Sequence, residues 1–161
     1  MKRTIFLTAL ILFSVQSYAQ QEKENYLEPN DIIGTWQQDY NIVGAGLLQN
    51  FVFSKDGTFV LNLANPKEDV RMLVGLKGKY RLVKDSLYFT ITSRIVLEGG
   101  NIEIGGLGMD FYVFYIDDGT LKEIPEENPQ ELEPCYITVF DKKHIKINNE
   151  EYYKIDEKDL E

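Results

Sequence analysis

The sequence predicts an all-β fold: a single antiparallel up-and-down barrel of about eight to ten strands, preceded by a short helical turn. Three observations predict it. Apolar and polar residues alternate with a period of two through most of residues 34–155, and no segment sustains a helical period. Turn formers such as Lys55-Asp56-Gly57, Asp85-Ser86 and Asp117-Asp118-Gly119 punctuate that alternation at short intervals. The 161-residue chain keeps 142 residues once a leader of nineteen is set aside. A domain of that size buries about 70% of its chain surface on folding and holds a core without covalent staples.

The leader stands apart from the rest. Lys2 and Arg3 form a basic head, residues 4–15 are almost wholly apolar, and Ser17-Tyr18-Ala19 offers small residues where a signal peptidase reads them. A secretory signal is expected over residues 1–19, with cleavage after Ala19 and a periplasmic or secreted mature chain. The apolar run is too short to span a bilayer and no run of spanning length follows, so no membrane insertion is expected.

Residues 20–28 are polar and read as a flexible leader; residues 29–156 form the barrel domain, and residues 157–161 a C-terminal tail. Pro29-Asn30-Asp31 has the composition of a single helical turn. Residues 34–40, with the only tryptophan, Trp36, make a first strand. Phe51 and Phe53 share one face of a second, and Phe59, Leu61 and Leu63 one face of the third, across a tight turn at Gly57. The clearest alternation runs over residues 70–82. Val70, Met72, Val74, Leu76, Tyr80 and Leu82 fall on one side, Arg71, Lys77, Lys79 and Arg81 mainly on the other. That is the pattern of an antiparallel strand with one buried and one wet face. Leu87, Phe89 and Ile91 follow. Residues 98–110 hold five glycines around Ile102 and Ile104 and read as a short strand with flexible flanks. Residues 111–116 are apolar or aromatic on both faces. Residues 123–134, with three prolines and five glutamates, read as a solvated loop. Strands over residues 136–140, 144–147 and 152–155 complete the set.

The formal net charge is −9, and −11 once Lys2 and Arg3 leave with the signal. Such a field repels phosphate backbones, so nucleic acid is excluded as a partner. A single cysteine, Cys135, means that no intramolecular disulfide framework exists. Cys135 and the only histidine, His144, invite a thiol-nucleophile reading, but a hairpin at Asp141-Lys142-Lys143 sets them about 16 Å apart. His144 is expected as a surface strand residue. One histidine and one cysteine do not build a zinc site, Asp117-Asp118-Gly119 lacks the spaced oxygens of a calcium loop, and Gly105-Gly106-Leu107-Gly108 lacks the lysine and helix of a phosphate cradle. No catalytic residue, metal ligand or cofactor is therefore assigned, and the protein is not expected to be an enzyme.

Gly34-Thr35-Trp36 has the G-x-W form that opens the first strand of lipocalins, and the closing stretch Lys143-His144-Ile145-Lys146-Ile147 with Tyr152-Tyr153-Lys154 is similar to their last hairpin. Over residues 32–155 the chain resembles the lipocalin-like exported bacterial domains within the calycin type of barrel. The resemblance implies that Trp36 plugs one end of the barrel and meets a basic residue of the last strand, for which Lys154 is the match where arginine is usual. The family's T-D-x-x-Y element and its disulfide pair are missing.

The leading expectation is non-enzymatic binding of a small apolar or amphipathic ligand in the barrel mouth. The lining candidates chosen by face are Phe51, Phe53, Phe59 and Leu61 on the second and third strands, and Met72, Val74 and Tyr80 on the fourth. Phe89, Phe111 and Tyr115 come from later strands. The alternative is an exported interaction module, an inhibitor or an envelope assembly partner, with a filled core. It would work through the acidic loop 123–134 and exposed strand edges.

Overall fold

The computed structural model describes residues 26–39, 49–63, 72–106 and 112–156. The expected signal segment, most of the flexible leader, Phe111 and the tail lie outside these residues. The strands are β1 (Gly34–Gln38), β2 (Asn50–Phe53), β3 (Thr58–Asn62), β4 (Leu73–Val83), β5 (Ser86–Glu98), β6 (Asn101–Gly106), β7 (Tyr112–Asp117), β8 (Thr120–Pro125), β9 (Cys135–Asp141), β10 (His144–Ile147) and β11 (Glu150–Ile155). Eight of them close a ring in the order β1-β2-β3-β4-β5-β9-β10-β11, with β11 paired back onto β1, and every pairing is antiparallel. The fold is all-β. Ahead of β1 the Asp31 N–H donates to the Glu28 carbonyl at 2.8 Å and closes one turn. Among the described residues no helix forms, and none is long and apolar enough to cross a membrane.

Local chemistry explains the pairing of β2 with β3. Gly57 takes a φ of 81°, a left-handed value that favours glycine, and the Asp56 carboxylate accepts from the Thr58 N–H at 3.0 Å and its hydroxyl at 2.6 Å. The register then sets Phe51 opposite Leu61 and Phe53 opposite Phe59, which puts the alternating apolar set on the core face. Farther round, Phe59 faces Gly78 of β4. A side chain at Gly78 would collide with the Thr90 carbonyl and meet the Phe59 ring, so glycine lets β4, β5 and that ring approach closely. The β4–β5 register shifts beside it, between Lys77 and Gly78, as barrel curvature requires.

The alternation of strand direction defines two ends. The start of β1, the β2–β3 turn, the β4–β5 turn and the end of β11 lie at one end, the floor. The end of β1, the start of β2, the end of β3, the start of β4 and the β10–β11 turn lie at the other, the mouth. At the mouth β5 runs on past the ring and pairs with β8, from Ser93 opposite Pro125 to Glu98 opposite Thr120. The ladder kinks at Gly99-Gly100 and Asp118-Gly119, then resumes as β6 with β7. Asp117-Asp118-Gly119 is therefore a kink in one long ribbon and not a hairpin turn, because the partner of β7 is β6.

The acidic stretch also differs from the expected loop. Its first part belongs to β8, and the rest tracks the edge of β5 before β9 begins: Glu126 N–H donates to Thr92 O and Leu132 N–H to Phe89 O, each at 2.8 Å. Nearly all its side chains are exposed, as a solvated segment requires, yet three of its five carboxylates are in ion pairs. Lys77 bonds Glu123, Arg81 bonds Glu131 and Arg94 bonds Glu126. Lys77 and Arg81 hold it from the outer face of β4, and Arg94 holds it from the face of β5 opposite Leu76.

Candidate functional site

The floor is built from β1 and β11. Trp36 is 0% exposed, and its indole N–H donates to the Ile32 carbonyl at 2.6 Å. That bond matters because a buried donor left unpaired costs about 1–3 kcal/mol. Lys154 is opposite Trp36 in the register. Its Nζ lies 5.4 Å from the indole centroid and donates to the Asp31 carbonyl at 2.6 Å. Burial pulls this ammonium below its ordinary value, against the opposing pull of Asp31. The structure thus brings Trp36 and Lys154 together over the turn that precedes β1.

Beside Trp36 the floor end is filled by a tier of aromatic rings. Phe53 and Phe59 are 1% and 2% exposed, and Phe51 and Phe89 each 6%. Phe53 meets Tyr80 edge-on at 4.9 Å, Phe59 meets Phe89 at 4.7 Å, and Phe51 stacks on Phe89 at 5.5 Å. The last contact joins β2 to β5 across the lumen. Tyr80 donates from its hydroxyl to the Ser54 carbonyl at 3.0 Å, and burial and then Asp56 hold its phenol above the ordinary value.

Toward the mouth the lining changes character. Leu61, on the same face as Phe59, is only half-buried, as are Val74 and Met72. Met72 precedes β4 with a φ of 54°, and its carbonyl accepts from Leu97 N–H at 3.0 Å. Gln49, one step above Phe51 on the inward face, donates to the Tyr152 hydroxyl at 2.6 Å. Burial pushes the Tyr152 phenol up to about 12. Sequence reasoning missed this amide–phenol pair, although the alternation of Gln49 with Phe51 and Phe53 carried the signal. Tyr115 is placed by its backbone alone, opposite Glu103 in the β6–β7 ribbon.

His144 is not a plain surface residue. It is half-buried between Phe140 at 4.4 Å and Tyr153 at 4.3 Å, and its Nε2 lies 3.0 Å from Glu151 Oε2. That bond, and then the Tyr153 hydroxyl, hold the Glu151 carboxyl below its ordinary value. Cys135 faces Leu87 on the β5 side of β9, half-buried against the core, whereas His144 faces Asp141. Among the described residues no three of the His, Cys, Asp and Glu side chains converge as metal ligands would. In comparisons with family models, curated proteins and solved structures, nothing matches the chain.

Proposed function

We propose that the protein is an exported, lipocalin-like, non-enzymatic domain that holds one small apolar or amphipathic molecule at the mouth of its barrel. The observation that carries this reading is the loss of burial on the β2–β4 side of the inward face, from Phe53 at 1% exposed to half-buried Leu61 and Val74, opposite a Tyr152 that stays 2% exposed. Phe51 and Phe89 form the bottom of the site, Leu61 and Val74 its apolar wall. The Gln49–Tyr152 pair supplies hydrogen-bonding groups for a polar end, the usual division of labour in a small-molecule site. The packed aromatic tier limits the depth, so the ligand is short. Titration with fluorescent fatty-acid and polyaromatic probes should show micromolar binding, about −8 kcal/mol. Leu61→Arg should abolish it, and Lys79→Ala, on the outer wall, should not change it. No binding to the wild type, or equal binding to Leu61→Arg, would end this reading.

One contact favours a second reading. The Phe51–Phe89 stack crosses the lumen, as a filled core requires, so an interaction module working through the acidic segment and the β8 edge takes the place of the first if no probe binds.

A further inference from the structure

The wall of the barrel is uneven. β4 and β5 are in register over ten residue pairs, from Leu73 opposite Val96 to Val83 opposite Ser86, whereas β5 and β9 share only Ser86–Tyr136 and Leu87–Cys135. Above Leu87 the gap beside β5 is filled by residues 126–134. These make two backbone bonds to β5, Glu126 to Thr92 and Leu132 to Phe89, and one isolated bridge, Thr90 opposite Glu131. Between Glu126 and Leu132 the segment forms no continuous ladder with β5, only that one isolated bridge. Pro129 and Pro134 have no N–H to give, so this segment is unable to complete a ladder.

The remaining ties are two exposed ion pairs, Arg81–Glu131 on the outer face and Arg94–Glu126 on the face that Arg94 shares with Leu76 and Leu61. Arg81 forks onto Glu131 with two bonds of 2.7 Å while lying over the Tyr88 ring at 3.6 Å, and Arg94 meets Glu126 at 2.6 Å. These pairs are exposed by about a third to a half, so salt screens them and they hold the segment weakly. Directly beneath is Phe89, whose carbonyl takes the Leu132 N–H and whose ring meets Phe51 and Phe59. The weakest part of the wall thus covers the residue at the bottom of the proposed site.

We infer that residues 126–134 form a releasable strap: they lift off β5 as a unit, widen the mouth sideways and open the path to Phe51 and Phe89. The inference rests on the mouth reading for its ligand, but the release itself is measurable without one. Hydrogen exchange at the Glu126 and Leu132 amides should run about 100-fold faster than at Tyr80, whose N–H donates to Gly57 O at 2.8 Å within the closed wall. Added salt should quicken the strap amides and leave Tyr80 unchanged. A tether is supplied by Thr90→Cys with Glu131→Cys in a Cys135→Ser background, since the bridge sets those two positions opposite each other. Oxidising it should slow association of 1-anilinonaphthalene-8-sulfonate by tenfold or more relative to the same protein reduced. Strap amides as slow as Tyr80, or equal association in the two redox forms, would overturn the inference. If the wild type binds no probe, the mouth reading fails, and the exchange rates alone decide whether the strap opens.

Discussion

The two ends of this barrel solve the same problem with opposite chemistry. At the floor, Trp36, Ile32, Phe53 and Phe59 are removed from water almost completely, and the polar atoms among them are paired with backbone carbonyls. At the mouth, half-buried aliphatic side chains sit under an amide–phenol pair, and the wall beside them is held by exposed ion pairs. Stability follows buried apolar area, at about 25 cal/mol per Å², and exposed ion pairs add little. The floor therefore carries most of the fold's stability, and the strap's ion pairs add little to it.

Substitutions at each end sharpen that division. The largest effect is expected at Trp36→Ala, which removes the fully buried indole and should cost about 3–5 kcal/mol in chemical denaturation. A loss near zero would erase the contrast. Leu61→Ala should cost less, under about 2 kcal/mol, because its side chain is already half in water. If it equals Trp36→Ala, the mouth is as closed as the floor. Smallest is Tyr152→Phe, which breaks the bond from Gln49 and should cost about 1 kcal/mol at neutral pH. Its signature lies in alkali. Burial raises the Tyr152 phenol from 10 to about 12, so its contribution is complete below 10 and is lost as pH climbs through 12. Unfolding followed from pH 9 to 12 should therefore show a decline in the wild type that Tyr152→Phe reduces.

Much of the floor was legible in the sequence, and less of the mouth. Alternation in Phe51, Phe53, Phe59 and Leu61 fixed which side chains share a face, because the period of a strand is a property of each strand alone. It did not say which of them lie deep. That depends on how the strands stagger round the ring, and only the pairings reveal it. Thr120–Pro125 was hidden for a related reason. Glutamates and prolines read as a loop until Lys77, Arg81 and Arg94 are seen across the β4 and β5 faces, where opposite charges let an acidic segment lie along a strand. His144 looked exposed by position, and its burial comes from Phe140 and Tyr153 on the two neighbouring strands. Asp118-Gly119 showed that the chain bends there, but a bend does not identify partners.

The kink in the ribbon has a consequence for the chain's modularity. Glu98 and Thr120 face each other across the last rung before it, so everything from Gly99 to Gly119 leaves and returns at adjacent points. In topological terms the β6–β7 hairpin is an insertion into a connection that a two-residue turn would close. None of the eight ring pairings passes through it. No ring pairing therefore fixes its length, which makes this the natural place on the molecule to graft, shorten or replace a segment.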